Sequence, residues 1–287
     1  HSRNDDLYLD MVLTDATGSI PGKMWELVDD FQNRFDSGDP VAVKGKVGEF
    51  NDLLQLTVTQ INLASYEQYG KYGYSPEILR KKVDEPIDGL WKRLMQISDT
   101  LQQPYKDLVT TIINQYKYKI QTMPVSLNHH HPVFGGFLKH MVTTSAISMD
   151  ILRHYPSLDR DLVLTGILLH DIGKVKSISD DLIPSHTDKG KLIGYIVLGR
   201  DIVLGTARSM KKIPKEILTK LEHIILSHKG MSEEGSVTLP QLPEALFVYY
   251  IDKLDGEINL MLNAIENDPN MNWTVFQSKF KAELFKK

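Results

Sequence analysis

We expect this chain to be a multidomain protein of mixed α and β structure, in which a small N-terminal β-barrel is followed by an all-α helical bundle. The first observation is an alternation of apolar and polar residues, typical of half-buried strands, that ends near Leu63. The second is a helical period that begins near Ile87 and continues almost to the last residue. The third is a length of 287 residues with 41% hydrophobic residues, which is enough for two modest cores.

Residues 1–64 carry the pattern of the barrel. Apolar and polar side chains alternate over residues 7–14, and the Asp-Ala-Thr-Gly turn signal that follows predicts a hairpin with the next strand. The other predicted elements are a strand over residues 19–25, a short helix over 26–35, and strands over 41–47 and 54–58. Together they predict a small barrel of the five-strand type that lacks part of its first strand.

Residues 65–86 are rich in Tyr, Gly and Lys and break the alternation, so they predict a linker. Residues 87–287 then follow a helical period, in which prolines fall near segment starts, where proline is tolerated. The main helices are predicted over residues 87–100, 103–116, 134–154, 158–170, 192–209, 215–227 and 243–266. This second domain is therefore expected to be entirely helical.

The composition restricts the chemistry of the protein. The chain has no Cys, which excludes disulfides, thiolate zinc sites and cysteine nucleophiles, and leaves His and carboxylates as the strong metal ligands. No apolar stretch approaches the ~20 residues needed to cross a bilayer, so we expect a soluble cytoplasmic protein. Residues 1–63 have a net charge of −6, and the rest of the chain has +2. A polyanion should therefore favour the second part of the chain.

A divalent metal site is predicted from histidines and aspartates in apolar helices. His170 and Asp171 end a nearly unbroken apolar run, where an imidazole and a carboxylate are costly to bury without a partner. His140 lies on the preceding predicted helix and Asp252 on the last one, so that four side chains can converge on one ion. A lone buried histidine is more often a satisfied core residue, and it is the combination that predicts the metal.

This pattern resembles the HD-domain superfamily of metal-dependent phosphohydrolases over about residues 126–265. A narrower resemblance, to the YhaM-type 3′→5′ exoribonucleases, is carried by residues 130–140, 170–174, 191–194, 222–228 and 243–246. Those proteins join an N-terminal OB-fold to an HD domain. Residues 8–10, 13–15 and 23–25 are similar to their OB portion, so the resemblance covers nearly the whole chain. It implies an OB-type nucleic-acid-binding barrel in residues 1–64 and an HD domain in residues 87–287.

The resemblance implies a ligand set and two catalytic residues. Its metal ligands are His140, His170, Asp171 and Asp252. Asp171 is expected both to bind the metal and to accept a hydrogen bond from the attacking water, while Lys174 offsets charge on the phosphate. Manganese is the expected ion, with iron, Co²⁺ and Mg²⁺ as alternatives. A neighbouring carboxylate, Asp255, is expected only to cap or orient another group.

Members of the superfamily with two metals use further histidines. His228 is the better candidate for such a ligand and His223 the weaker, because five residues along a helix turn two side chains ~140° apart. However, Tyr195 stands where the family's histidine is expected, and Lys229 follows His228 where a second histidine is common. These departures predict that a second ion is weakly held or absent.

Three further residues are candidates for binding substrate. His130 and His131 precede a glycine pair at a predicted helix start, where they can meet a phosphate, although histidines in loops are more often merely solvated. Trp25 can offer a stacking face for a base, although aromatic residues in a small barrel more often belong to the core.

The predicted function is metal-dependent 3′→5′ exonuclease activity on single-stranded RNA, with DNA left open. Two alternatives also remain open. One is a nucleotide or cyclic-dinucleotide phosphohydrolase, which needs no barrel. The other is a non-catalytic nucleic-acid-binding protein whose metal merely links its helices. Self-association into a homo-oligomer is a further open expectation, and no membrane partner is expected.

Overall fold

The computed structural model describes residues 7–26, 28–31, 34–51, 53–127, 131–210 and 213–286. The chain divides into two compact units. The first, called here the β unit, comprises His1–Lys82 together with Asp181–Ile183, and the second, called the helical unit, comprises Val83–Asp180 and Pro184–Lys287. The boundary between them in the chain therefore falls within the segment predicted as a linker.

The β unit is built on one four-stranded sheet. Its strands are β1 (Leu9–Thr14), β2 (Ser19–Met24), β3 (Val41–Phe50) and β4 (Leu53–Leu63). The strand order is β1-β2-β4-β3, in which β1 and β2 are antiparallel, β2 and β4 parallel, and β3 and β4 antiparallel. The sheet does not close among the described residues, as expected for an OB-type barrel that lacks a strand.

Local chemistry explains the two hairpins of the sheet. In the β1–β2 turn, Asp15 Oδ1 accepts hydrogen bonds from the Thr17 amide at 2.7 Å and the Gly18 amide at 3.2 Å, which is the usual role of Asp in a turn. In the β3–β4 hairpin the register shifts at Gly45, where a Cβ atom would overlap the carbonyl oxygen of Thr57. A glycine is therefore required at this bulge.

A helical turn, α1 (Val28–Phe31), lies between β2 and β3 and packs Phe31 against Met24, Val58 and Ile61 in a small core.

The segment predicted as a linker contains more regular structure than the sequence analysis predicted. It forms α2 (Tyr66–Tyr69) and two 3-10 turns, Gly70–Tyr72 and Pro76–Leu79. Helix α2 follows Ser65, whose hydroxyl accepts a hydrogen bond from the backbone amide of Gln68.

The helical unit contains every helix that the sequence predicts for residues 87–287, with ends that differ by at most three residues. Those helices are α3 (Ile87–Asp99), α4 (Tyr105–Gln115), α6 (Gly136–Leu152), α7 (Arg160–Leu169), α10 (Tyr195–Met210), α11 (Lys215–Ser227) and α12 (Pro243–Asn267). Three short helices were not predicted: α5 (Lys117–Thr122), α8 (Lys174–Ser177) and α9 (Asp188–Leu192). None of the helices formed by the described residues is long and apolar enough to cross a membrane.

Helix α7 is the centre of the helical unit. Its residues from Leu162 to Leu169 are all buried, and it packs against α4, α6, α11 and α12. Close packing is possible because position 166 is a glycine, where a Cβ atom would lie 2.8 Å from Ile224 of α11 and 3.2 Å from Val248 of α12. The polar side chains that follow α7 are therefore placed between these neighbouring helices.

Candidate metal centre

Four buried side chains from separate parts of the sequence meet in the helical unit. They are His140 on α6, His170 and Asp171 directly after α7, and Asp252 on α12. One ligand atom of each lies within 4.8 Å of one atom of every other. The residues that sequence reasoning proposed as ligands of one ion are therefore neighbours in space.

The spacing of the ligand atoms suits one small cation. His140 Nε2 lies 3.4 Å from His170 Nε2, and each of these atoms is 3.5 Å from Asp252 Oδ1. His170 Nε2 is 3.6 Å from Asp171 Oδ2. Two ligands that are each ~2.1 Å from an ion lie ~3.4 Å apart at a tetrahedral angle and ~3.0 Å apart at a right angle. The observed separations are close to the tetrahedral value.

Hydrogen bonds fix which nitrogen of each imidazole faces the centre. Nδ1 of His140 donates to Asp255 Oδ2 at 2.7 Å. Nδ1 of His170 and Nδ1 of His228 each donate to the backbone carbonyl three residues earlier, at 2.8 and 2.7 Å. When Nδ1 carries the proton, Nε2 of the neutral ring presents a lone pair. Three lone pairs are thereby directed toward the two aspartates.

The hydrogen-bond partners of the two carboxylates indicate whether a cation fits between these side chains. Oδ2 of Asp171 accepts a hydrogen bond from Lys174 Nζ at 2.5 Å, and Oδ2 of Asp252 accepts one from Lys229 Nζ at 2.8 Å. Oδ1 of each aspartate is buried and has no hydrogen-bond donor among the described residues. A buried carboxylate oxygen without a donor is costly, and a bound cation removes that cost. The donor set therefore fits a divalent ion.

The pKa shifts in the centre reflect competition between burial and charge. Burial alone would raise the pKa of Asp171 and Asp252, but Lys174 and His170 lower the pKa of Asp171, and Lys229 and His170 lower the pKa of Asp252, each to well below the usual range. Both aspartates are therefore anions at neutral pH. Burial lowers the pKa of the imidazole of His170, but the two carboxylates outweigh burial and raise it. A proton on that ring and a metal ion compete for the same lone pair.

Asp255 orients the first histidine ligand. Its Oδ2 accepts hydrogen bonds from His140 Nδ1 at 2.7 Å and from His131 Nε2 at 3.0 Å. Burial would raise the pKa of Asp255, but the two histidines lower it below its usual range. A carboxylate that holds the far nitrogen of a ligand histidine fixes the ring and makes it a better ligand. The sequence pointed to Asp255 through its position three residues after Asp252, which places both carboxylates on the same side of α12.

The structure places His131 differently from the prediction that it meets a phosphate. The ring is buried against Asp255, on the Nδ1 side of His140, and the backbone amide of His131 donates to Asn259 Oδ1 at 2.7 Å. This fold is possible because Gly136 starts α6, where a Cβ atom would overlap the His131 carbonyl. The other loop candidate, His130, lies outside the described residues.

The structure does not bring His223 into the metal cluster. Its Nε2 accepts a hydrogen bond from the backbone amide of Gln241 at 2.8 Å, so the prediction of a metal ligand at this position is corrected. Burial lowers the pKa of His223, which keeps the ring neutral as this hydrogen bond requires. A contact between a ring and a distant backbone amide leaves no pattern in the sequence.

His228 lies beside the centre, but its Nε2 atom is hydrogen-bonded to a tyrosine hydroxyl. The Tyr195 hydroxyl is 3.2 Å from His228 Nε2, which is also 3.6 Å from Asp171 Oδ1. Because Nδ1 of His228 holds its own proton, the hydroxyl donates to Nε2. Burial raises the pKa of Tyr195, so the phenol stays neutral, and Lys174 Nζ lies 4.9 Å from the centre of its ring. A phenol and an ammonium group therefore stand beside His228 where a second ion would bind.

A cavity of about 350 Å³ opens next to the metal centre. His228, Lys229 and Asp252 line it on the side of the centre, and Lys253 and Lys279 are among the residues that line the remainder. A volume of this size is at the lower end of the range for sites that bind small ligands, ~300–1,000 Å³. The cavity therefore borders the centre through Asp252.

The β unit presents the aromatic residue proposed for base stacking. Trp25, at the end of β2, is 47% exposed and stacks on Tyr8 with ring centroids 4.8 Å apart. Lys23 Nζ lies 4.9 Å from the centroid of Tyr8 and 5.5 Å from that of Trp25. Trp25 is therefore a surface residue and not part of the small core.

Comparisons with known protein families assign a family to the helical unit and another to the β unit. Residues 137–257 match the HD domain family, and residues 3–64 match a family described as an OB-fold nucleic acid binding domain. The chain is 30% identical over 270 residues to the 3′-5′ exoribonuclease YhaM of Oceanobacillus iheyensis, an alignment that covers 92% of this chain and 82% of the relative. No solved structure matches the chain. Because the similarity extends through both the OB-fold and the HD region, this chain belongs to the YhaM family of 3′-5′ exoribonucleases.

Proposed function

We propose that the cluster around His170 is the hydrolytic centre of this metal-dependent 3′→5′ exonuclease, and that its substrate is single-stranded RNA. The observation that carries the proposal is the pair of buried carboxylate oxygens, Asp171 Oδ1 and Asp252 Oδ1, that have no donor among the described residues and face the lone pairs of histidines. Family membership supports the reaction, and the cavity beside the centre supports access for a 3′ end.

A divalent ion bound here supplies Lewis-acid chemistry, which polarises a phosphoryl oxygen and makes water a better nucleophile at neutral pH. The side chains of this chain do the rest. His140, His170, Asp171 and Asp252 hold the ion, and Asp171 also accepts a hydrogen bond from the attacking water. Lys174, which is held beside Asp171, places a fixed positive charge where the non-bridging oxygens of the phosphate gain charge.

We infer that Lys229 has a similar role on the other side of the centre. Its ammonium group is bound to Asp252 Oδ2 and borders the cavity, whereas the side chain of Lys174 is buried. The two lysines thus take positions on opposite carboxylates of the ligand set. A positive charge on each side of a phosphate restricts its orientation and stabilises the transition state.

One ion in each chain is the expected stoichiometry. Tyr195 and Lys229 occupy the space in which a second ion would need ligands, and the Tyr195 hydroxyl already uses the lone pair of His228. Metal analysis of the dialysed protein should give one equivalent of manganese. The double variant Tyr195→His with Lys229→His should bind a second equivalent, and two equivalents in the unaltered chain would contradict the proposal.

Manganese is the first ion to test. Two imidazole nitrogens and two carboxylate oxygens form a borderline-to-hard ligand set, which suits Mn²⁺, Fe²⁺, Co²⁺ and, less well, Mg²⁺. No thiolate is available to favour softer ions, because the sequence contains no Cys. The same activity assay with each ion identifies the one that this site uses.

The test of the function is a time course on single-stranded RNA labelled at its 5′ end, with manganese, magnesium or chelator. A ladder that shortens from the 3′ end only with metal is expected. Asp252→Asn should abolish the ladder, and Glu266→Gln, an exposed change on the same helix, should leave it intact. An internal product, or shortening that survives chelator, would contradict the proposal.

Four finer predictions go with this function. We propose Trp25 as a stacking residue for RNA, supported by its exposure and by Lys23 beside it. RNA is proposed over DNA because the curated relative is an exoribonuclease, and a DNA strand in the same assay tests that preference. A cytoplasmic location, where RNA is degraded, and self-association stay predictions.

A further inference from the structure

We propose that the C-terminal segment, residues 268–286, binds the RNA strand upstream of the nucleotide that is held at the metal centre. This segment is called here the C-terminal ribbon. The inference rests on the proposed function, because it concerns how the substrate of that centre is held. Nothing in the similarity to the HD domain family assigns a role to the ribbon, since that match ends at residue 257.

The ribbon has a defined shape although it contains no helix or long strand. Two bridges, Trp273 with Phe285 and Gln277 with Ala282, make it double back on itself. Asp268 fastens its base, because one carboxylate oxygen accepts from the amide of Asn270 and the other from the amide of Val275, each at 2.9 Å. Side chains on such a fastened segment are held in place before a ligand arrives.

The outer face of the ribbon carries aromatic rings in solvent. Thr274 and Leu284 are buried on the inner face, whereas Trp273 is 51% exposed and Phe285 is 61% exposed. The centroids of these two rings lie 5.1 Å apart. Phe276, beyond the first bridge, is 62% exposed. Exposed aromatic residues that cluster in this way mark a binding surface, and they are what single-stranded nucleic acid needs for base stacking.

The turn of the ribbon reaches the catalytic cavity. Lys279, in that turn, lines the same cavity as Asp252 and His228 of the metal centre. Lys281 follows in the turn and is also exposed. The ribbon is therefore continuous with the site where the 3′ end reacts, and it brings the positive charge of Lys279 to a cavity that Glu233, Glu234 and Glu257 also line.

The distance along the ribbon suits a short stretch of RNA. From Lys279, which lines the cavity, to Trp273 the chain runs over six residues and spans at most ~20 Å at ~3.3 Å per residue. Stacked nucleotides rise ~3.4 Å each, so the aromatic pair stands at most about six nucleotides upstream of the cavity. Base stacking tolerates any sequence, which suits an enzyme that must accept each new 3′ end as the strand shortens.

The test compares two substrates on the full-length protein. For a 3-nucleotide and a 12-nucleotide RNA, kcat/KM is measured for the unaltered chain, Trp273→Ala, Phe285→Ala and Lys279→Ala. Each variant should lower the ratio of the 12-mer value to the 3-mer value about fivefold or more, mainly through KM. Trp273→Phe should restore most of the ratio. Tyr155→Ala, which removes an equally exposed aromatic ring elsewhere in the helical unit, should not change it.

A ratio that stays within twofold in all three alanine variants would overturn the proposal, and so would an equal loss on both substrates, which indicates a structural role. Light scattering gives a further outcome. If Trp273→Ala turns an oligomer into a monomer, the aromatic face is a contact between copies and the proposal is wrong. Failure of the proposed function is distinguishable, because the unaltered chain would then show no metal-dependent shortening of either RNA.

Discussion

Single side chains in the metal centre are oriented by partners on the side away from the ion. The Nδ1 atoms of His170 and His228 are held by carbonyls of their own helices, so these rings need no other residue. His140 is different, because its Nδ1 is held by Asp255 on another helix. Metal binding by His140 can therefore be weakened by a mutation of Asp255, a residue that does not itself bind the metal.

We therefore expect Asp255→Asn to weaken metal binding about 10- to 100-fold while the helical unit remains folded. The amide carries no negative charge, whereas in the unaltered chain His140 and His131 both donate to one oxygen, Oδ2, of a charged carboxylate. Titration calorimetry with manganese measures the change in Kd, and circular dichroism checks the fold. Glu266→Gln on the same helix serves as the matched control. Unchanged affinity in Asp255→Asn would show that the carboxylate does not orient the ligand.

The grouping of His140, His170, Asp171 and Asp252 could be predicted from the sequence, but most partners of these residues could not. His170, Asp171 and Asp252 stand out because each is a polar residue in an apolar helix, a local signal. The contact of Lys229 with Asp252 joins positions 23 apart, one just after the end of α11 and one on α12, and it depends on how those helices pack. The burial of the His131 ring could not be predicted for the same reason, because it depends on tertiary structure.

At the scale of elements, the turn that follows α7 is in close van der Waals contact with the first turns of α10. A Cβ atom on Gly173 would overlap the carbonyl oxygen of Tyr195 and the amide of Gly199. These are backbone atoms of the facing helix, so a side chain at this position cannot be accommodated by a rotamer change. The close approach also sets Tyr195 beside His228.

Gly173→Ala should therefore destabilise the protein, by about 3 kcal/mol, because the turn and α10 must move apart. Gly205→Ala provides the opposite case. Gly205 lies inside α10 and is exposed, and a Cβ atom there would meet no other atom within 4 Å, so alanine should stabilise the helix by ~0.5–1 kcal/mol. Urea unfolding of both variants measures the free energies. Equal effects of the same sign would contradict this account of the packing.

The long helices and the strands could be predicted because each repeats its period several times. The three short helices could not, since a single turn such as α8 (Lys174–Ser177) shows no period. The prediction of one helix from residue 192 onward was wrong at its start. Gly194 adopts a left-handed φ of 84° and separates α9 from α10, so the latter begins at Tyr195.

At the scale of the whole molecule, the metal ion would join parts of the chain that are far apart. His140 and Asp252 are separated by more than a hundred residues, and a bound ion draws α6, α7 and α12 together. An ion that binds only the folded protein stabilises it in proportion to the logarithm of its concentration over Kd. The stability of the helical unit should therefore depend on metal.

Manganese at a hundred times its Kd should raise the free energy of unfolding by ~2.7 kcal/mol and the Tm by about 5–10 °C relative to chelator. Scanning calorimetry of the two samples measures the shift. Asp252→Asn should lose most of the shift, because it removes one charged ligand. A shift of the same size in that variant would mean that the ion binds elsewhere.

The pairing of each ligand carboxylate with a lysine has a consequence for the order in which the enzyme takes up its ligands. With neutral imidazoles, the three aspartates at positions 171, 252 and 255 and the two lysines at 174 and 229 leave the empty centre with a net charge of −1, and a proton on His170 brings it only to zero. A divalent ion reverses the sign to +1. We therefore expect RNA to bind more tightly once the ion is in place, which favours uptake of the ion before the polymer.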